Sequence, residues 1–187
     1  WGVVVEDFDN DMDLDVMMTF GHWDQYPNKA EQPDALYIQG DEGTFADRAS
    51  LWGWDGDGFG RGLVSTDLNN DGWIDTIKQQ LDDKAVMHIS RCGVQSSLMV
   101  SLEDEGSNRF GIGATIQATS GGVTQTRWIT GGGFSAFSAS APEVHFGLGN
   151  VSSVDVLTVT WPDGVVDVFN AVEARQHVVI RRSWDTE

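Results

Sequence analysis

Two acidic runs set the strongest limit on what this chain can fold into. The first is Asp7-Phe8-Asp9-Asn10-Asp11-Met12-Asp13-Leu14-Asp15, and the second is Asp67-Leu68-Asn69-Asn70-Asp71-Gly72-Trp73-Ile74-Asp75. Each places oxygen-bearing side chains at relative positions 1, 3, 5 and 9. Carboxylates crowded this closely repel one another. A hard divalent cation removes that cost, and oxygen ligands at this density suit Ca2+. An EF-hand would need a bidentate Glu at the twelfth position of its loop. That position is Met18 in the first run and Lys78 in the second, so neither is an EF-hand. Gly2-Val3-Val4-Val5 and Val16-Met17-Met18 flank the first run, while Leu63-Val64 and Ile77 flank the second. Short apolar, β-branched flanks predict strand–loop–strand. The predicted ligands are the side chains of Asp7, Asp9, Asp11 and Asp15 with the Asp13 carbonyl. In the second loop they are Asp67, Asn69, Asp71 and Asp75 with the Trp73 carbonyl. The chain is thus expected to hold about two structural Ca2+ ions. The alternative is a pair of acidic turns without metal. A sharp turn at position 6 favours Gly, which Gly72 supplies and Met12 does not.

The charge follows these runs. The chain has 187 residues, with 29 Asp plus Glu against 11 Lys plus Arg and a net charge of −18. Residues 1–95 carry 19 acidic and 6 basic side chains, and residues 96–187 carry 10 and 5. Such acidity excludes nucleic acid, whose phosphates are bound by clustered Lys and Arg. It also argues against an anionic membrane surface, and no apolar run approaches the ~20 residues of a membrane span. The single Cys92 excludes an internal disulfide framework and a cysteine-based zinc cluster. It is expected to be an unreactive thiol. The first residue is Trp rather than Met, so the chain reads as a mature or excised piece, and the missing leader says nothing about secretion.

Asp7 and Asp67 lie 60 residues apart, a period typical of blades or solenoid units. Between them, Leu36-Tyr37-Ile38-Gln39-Gly40-Asp41-Glu42-Gly43-Thr44-Phe45 reads as a strand, a turn and the start of another strand. These segments resemble the FG-GAP/VCBS repeats, Ca2+-binding β-propeller blades whose loop sits between two strands and whose ion is mainly structural. Further on come Ser107-Asn108-Arg109-Phe110-Gly111-Ile112-Gly113-Ala114, Gly121-Gly122-Val123-Thr124-Gln125-Thr126-Arg127, His145-Phe146-Gly147-Leu148-Gly149 and Val159-Thr160-Trp161-Pro162-Asp163-Gly164. In this order they resemble the ASPIC/UnbV domain, which follows FG-GAP repeats in secreted bacterial proteins and in cartilage acidic proteins. The resemblance implies an extracellular, Ca2+-dependent, non-catalytic role and names no ligand.

Period-2 alternation in residues 98–102, 115–119, 124–129 and 154–161 predicts strands, with a last one near 176–180. Gly121-Gly122 and Pro162-Asp163-Gly164 are read as hairpin turns. The expected fold is all-β: partial β-propeller-type blades over residues 1–95, then a small antiparallel β-sandwich or barrel over residues 96–187. Propellers generally close with about four to eight blades. Three readings follow: a piece of a longer protein, copies that complete one another's sheet edges, or a small non-propeller β unit.

Nothing in the sequence distinguishes a catalytic centre. The histidines His22, His88, His145 and His177 form no HExxH pattern, and no GxSxG elbow occurs. His145 reads as a structural histidine. His22-Trp23-Asp24 is a candidate ligand contact weighed against a surface role. Trp52, Trp54 and Phe59 flank Asp55-Gly56-Asp57-Gly58, which is either a third cation site or sugar-stacking surface, or a Gly-rich loop with its Trp residues in the core. Arg109 and Arg127 are expected to pair with carboxylates. Asn150-Val151-Ser152 meets the glycosylation pattern. The functional expectation is an extracellular or cell-surface recognition or adhesion protein with structural Ca2+ and no catalysis. Its partner is a protein, a glycan or copies of itself. The alternatives are a filament or other assembly subunit and, lower, a fragment of a propeller hydrolase.

Overall fold

The computed structural model describes residues 1–22, 32–40, 42–56, 58–81, 83–90, 93–132 and 137–182. Regular structure among them is almost wholly β, with one short helix, α1 (Ala49–Trp52). The acidic loops sit between β-strands, as their apolar flanks predict. β1 (Gly2–Glu6) leads through the first loop into β2 (Asp15–Thr19), followed by β3 (Ala35–Gln39) and β4 (Phe45–Asp47). These form one antiparallel sheet in chain order. β5 (Gly60–Thr66) leads through the second loop into β6 (Asp75–Gln80), and β7 (Val86–His88) completes a second sheet. The alternating residues Val4 and Met17, with Leu36, Leu63, Ile74, Phe8 and Trp54, form a single core shared by both sheets. Gly2 permits the close approach of β1 to β5, because a Cβ there would stand 2.6 Å from that of Leu63.

The second half builds two further sheets around its own core. β8 (Ser96–Glu103) lies between β11 (Glu143–Gly149) and β14 (Gln176–Arg181). The other sheet runs β10 (Val123–Trp128), β9 (Thr115–Ser120), β12 (Ser153–Thr160), β13 (Val166–Glu173). Leu98, Val100 and Phe146 from the first sheet meet Ile116, Ala118 and Leu157 from the second. All strand pairs are antiparallel except β8 with β14. Gly121 and Gly122 take φ of 57° and 85°, as a two-residue hairpin turn requires. Among the described residues no propeller ring or closed barrel forms; the architecture is four separate sheets. The His145–Gly149 motif, read from sequence only as part of a family resemblance, forms most of strand β11.

β8 ties the two halves together. Successive side chains on a strand point to opposite faces, so Leu98 and Val100 enter the C-terminal core while Met99 enters the N-terminal one. Ser138 and Ser140 place hydroxyls against β5, accepting from the Leu63 N–H at 2.8 Å and the Ser65 N–H at 3.3 Å. A sheet edge that sequence reasoning leaves open to another chain is therefore partly satisfied from within.

Candidate metal centre

The two acidic loops share the wiring of their first, fifth and ninth positions. Asp15 Oδ2 accepts the Phe8 N–H at 2.8 Å, and Asp75 Oδ2 accepts that of Leu68 at 3.0 Å. Asp7 accepts the Asp11 and Met12 N–H groups at 3.0 and 2.8 Å, and Asp67 accepts those of Asp71 and Gly72 at 3.1 and 2.7 Å. Asp11 Oδ1 takes the Asp13 N–H at 2.9 Å, and Asp71 Oδ1 takes the Trp73 N–H at 3.0 Å. The closing carboxylates are each held by the chain beyond the hairpin: Asp15 by the Gln39 N–H at 2.9 Å, and Asp75 by the Ser90 N–H at 2.8 Å. Backbone angles repeat as well. Position 4 has φ of 59° at Asn10 and 57° at Asn70, and position 6 has 87° at both Met12 and Gly72. The turn geometry thus prevails over residue type at Met12.

In the first loop Asp7, Asp9 and Asp15 each offer an oxygen, and these lie within 4.8 Å of one another. Asp7 and Asp15 are fully buried, and the buried Oδ1 of Asp9 has no hydrogen-bond partner. Burial drives the carboxyls of Asp7 and Asp15 up to about 7 and that of Asp9 to about 6. Neighbouring acidic groups push in the same direction, and backbone N–H donors oppose them. Two buried carboxylates beside one buried oxygen that lacks a partner fit a hard cation, whose charge would offset this penalty. Asp11 lies outside the trio and is exposed. The equivalent trio in the second loop is Asp67, Asn69 and Asp75, two carboxylates and an amide. This loop is more open, with Asn69 and Asp71 exposed. Asp75 is buried, which raises its carboxyl pKa too.

The first loop is buried because the C-terminal half sits on it. Gly147 of β11 lies directly over Asp7: a Cβ there would stand 2.0 Å from Asp7 Oδ2 and 2.6 Å from Asn10 Cα. The Gly149 N–H donates to the Asn10 carbonyl at 2.8 Å. Asn10 in turn reaches the second loop, its Nδ2 donating to the Gly72 carbonyl at 3.1 Å. Ser97 Oγ donates to the same carbonyl at 2.7 Å, and His145 Nε2 lies 3.3 Å from it. Burial pushes His145 down to about 4, with Arg127 acting in the same sense, so it is neutral at pH 7. Spacing could not show Asn10 and Gly147 as site residues, because neither carries a metal-ligating carboxylate and their partners lie far off in sequence.

Other sequence candidates fall elsewhere. The His22 carbonyl accepts from Arg61 Nη2 at 3.0 Å. Trp23, Asp24, Asp57 and Cys92 lie outside the described residues. Trp54 is buried in the N-terminal core, edge-on to His88, while Trp52 is 43% exposed. Arg127 donates to the Thr126 carbonyl and Gln125 Oε1 and lies over the Phe146 ring. An unforeseen buried pair, Lys78 with Asp34 at 2.5 Å, links β6 to the segment entering β3. Asp34 also accepts from Thr19 Oγ1 and the Phe20 N–H, which satisfies a charge that burial would otherwise penalise.

No curated protein matches the chain. Residues 104–186, the segment that includes the loop-docking strand β11, match the family model described as ASPIC and UnbV.

Proposed function

We propose that the chain is an extracellular, non-catalytic recognition protein whose two acidic loops are structural Ca2+ sites in FG-GAP/VCBS-type, propeller-like repeats. The ASPIC and UnbV segment packs on those loops as a small β-sandwich and takes a protein or glycan partner. The observation that carries the reading is the first loop itself: three carboxylates gathered within 4.8 Å, with one buried oxygen left without a hydrogen bond. The second loop repeats the hydrogen bonds of Asp7, Asp11 and Asp15 at Asp67, Asp71 and Asp75, which supports a second ion, while its Asn69 Oδ1 accepts the Asp71 N–H. Asp7, Asp9 and Asp15 would hold one ion and Asp67, Asn69 and Asp75 the other, with Asp11, Asp13, Asp71 and Trp73 completing the sets. A cation binding only the folded state stabilises it by mass action. Isothermal titration of chelator-treated protein with Ca2+ should show uptake of about two ions. A clear rise in Tm should accompany it. No heat and no shift in Tm would overturn the metal reading.

Self-assembly has one observation in its favour. β13 is an edge strand with Val166, Val168 and Phe169 exposed, and such edges template pairing with another chain. Sedimentation across a concentration series tests this second reading.

A further inference from the structure

We propose that the cleft between the two halves, together with the outward face of the β10-β9-β12-β13 sheet beside it, binds a neutral glycan chain. The proposal rests on the recognition reading above and names its ligand class. The cleft has a volume of about 340 Å3, within the usual span of ligand pockets. One wall is β1, where Val3 and Val5 are exposed. Trp128 of β10 also lines the cleft and is 62% exposed. Polar groups line it as well. Glu6 accepts from Ser65 Oγ at 3.0 Å, and Glu143 accepts from Thr66 Oγ1 at 2.6 Å. Arg127 also lines the cleft, and its buried Nε–H has no hydrogen-bond partner. Apolar walls with a few convergent polar groups are the usual form of a ligand site. A free indole takes the C–H face of a pyranose ring, while carboxylate and guanidinium groups take its hydroxyls.

Beyond Trp128 the sheet supplies a track. Cross-strand register sets Trp128 beside Thr115, Thr126 beside Gln117 and Thr124 beside Thr119. The next strands continue these rows with Thr160 and Thr158, then Val166 and Val168. None of the outward positions in these rows is ionisable, in a chain of net charge −18. A partner recognised through its charge finds no counter-charge on this face. A sulfated or uronate polymer would be repelled by the molecule as a whole. An uncharged chain of hydroxyls meets hydroxyl, amide and indole groups without that penalty.

Affinity electrophoresis tests the proposal in millimolar Ca2+, using soluble β-glucan, mannan and xylan, with alginate and a sulfated galactan as charged controls. The expected result is retardation by at least one neutral polymer and by neither charged one. Trp128→Ala should weaken retention roughly tenfold or more, and because Trp128 is exposed its removal should leave Tm and Ca2+ uptake unchanged. Val3→Lys, on the β1 wall, should weaken it as well. No retardation by any neutral polymer, or unaltered retention in Trp128→Ala, overturns the proposal. So does self-association that Trp128→Ala abolishes, which would make a second copy the occupant. Calcium titration of the same samples separates the two readings. Ca2+ uptake without glycan retention removes the ligand class alone, whereas glycan retention without Ca2+ uptake removes the metal and keeps the cleft.

Discussion

Met12 holds a left-handed backbone at φ 87° that its counterpart Gly72 adopts without a Cβ. Left-handed conformations cost a non-glycine residue about 1–2 kcal/mol. Met12→Gly should therefore stabilise the fold by up to about 1 kcal/mol, since glycine's greater unfolded freedom takes back part of the gain. Thermal unfolding in Ca2+ measures it, and a lower Tm would show that the Met12 side chain matters more than its backbone. Asp9 invites a sharper test, because the second loop already uses Asn69 at the same position. Asp9→Asn should lower Tm in Ca2+ by removing a charged ligand. In chelator it should leave Tm unchanged or raise it, because a half-buried, under-partnered charge is gone. Equal losses in both conditions would count against a metal at this loop. His145 gives the pH dependence. Its folded pKa of about 4 lies below the ordinary 6.5, so the unfolded chain takes up the proton first as pH falls. Its contribution is complete above pH 6.5 and is lost between there and about 4. Over that window the stability difference between the parent protein and His145→Gln should shrink by roughly 3 kcal/mol. A constant gap in chemical denaturation curves would show that His145 is not buried neutral.

At the scale of elements, β11 is a strand that reads a loop. Its glycine at position 147 leaves only enough room for the Asp7 carboxylate. Gly147→Ala forces either the strand off the loop or the carboxylate out of place. Ca2+ uptake should fall by about one ion, with the second loop still loaded, and stability should drop by about 2 kcal/mol or more, in the range of overpacked cores. Titration and unfolding of the variant measure both effects; unchanged stoichiometry and Tm would show that β11 does not clamp the first site. The strand–loop–strand hairpins were legible in sequence because their signals are local: carboxylate spacing between β-branched runs, and Gly121-Gly122 at a tight turn. β11 was less so, because glycines at 147 and 149 interrupt its apolar pattern and their reason lies about 140 residues away at Asp7 and Asn10. β13 was signalled only by the Pro162-Asp163-Gly164 turn before it, because this edge strand lacks a strict alternation, with Val166, Val168 and Phe169 all exposed. Helix α1, at four residues, is too short to show a period.

For the whole molecule, the question is whether two cores unfold as one. Among the described residues, Met99, which β8 sends into the N-terminal core, is the buried apolar link between the cores, and Trp1 packs edge-on to Phe137 outside them. The remaining links are polar, and several converge on the loops: Gly149 to Asn10, Asn10 to Gly72, and Ser97 and His145 to the same Gly72 carbonyl. A loop held by metal presents these groups in fixed positions. A metal-free loop with several mutually repelling carboxylates holds them less firmly, and polar contacts worth about 1 kcal/mol each do not couple two cores once their geometry drifts. Calorimetry should accordingly show a single cooperative transition in millimolar Ca2+. In excess chelator two transitions should separate, the earlier one belonging to the loop-bearing half, whose carboxylates remain buried without compensation. A single transition of equal cooperativity in both conditions would mean that Met99 and the serine contacts to β5 couple the halves without help from the loops. The ions would then stabilise their own hairpins and nothing beyond them.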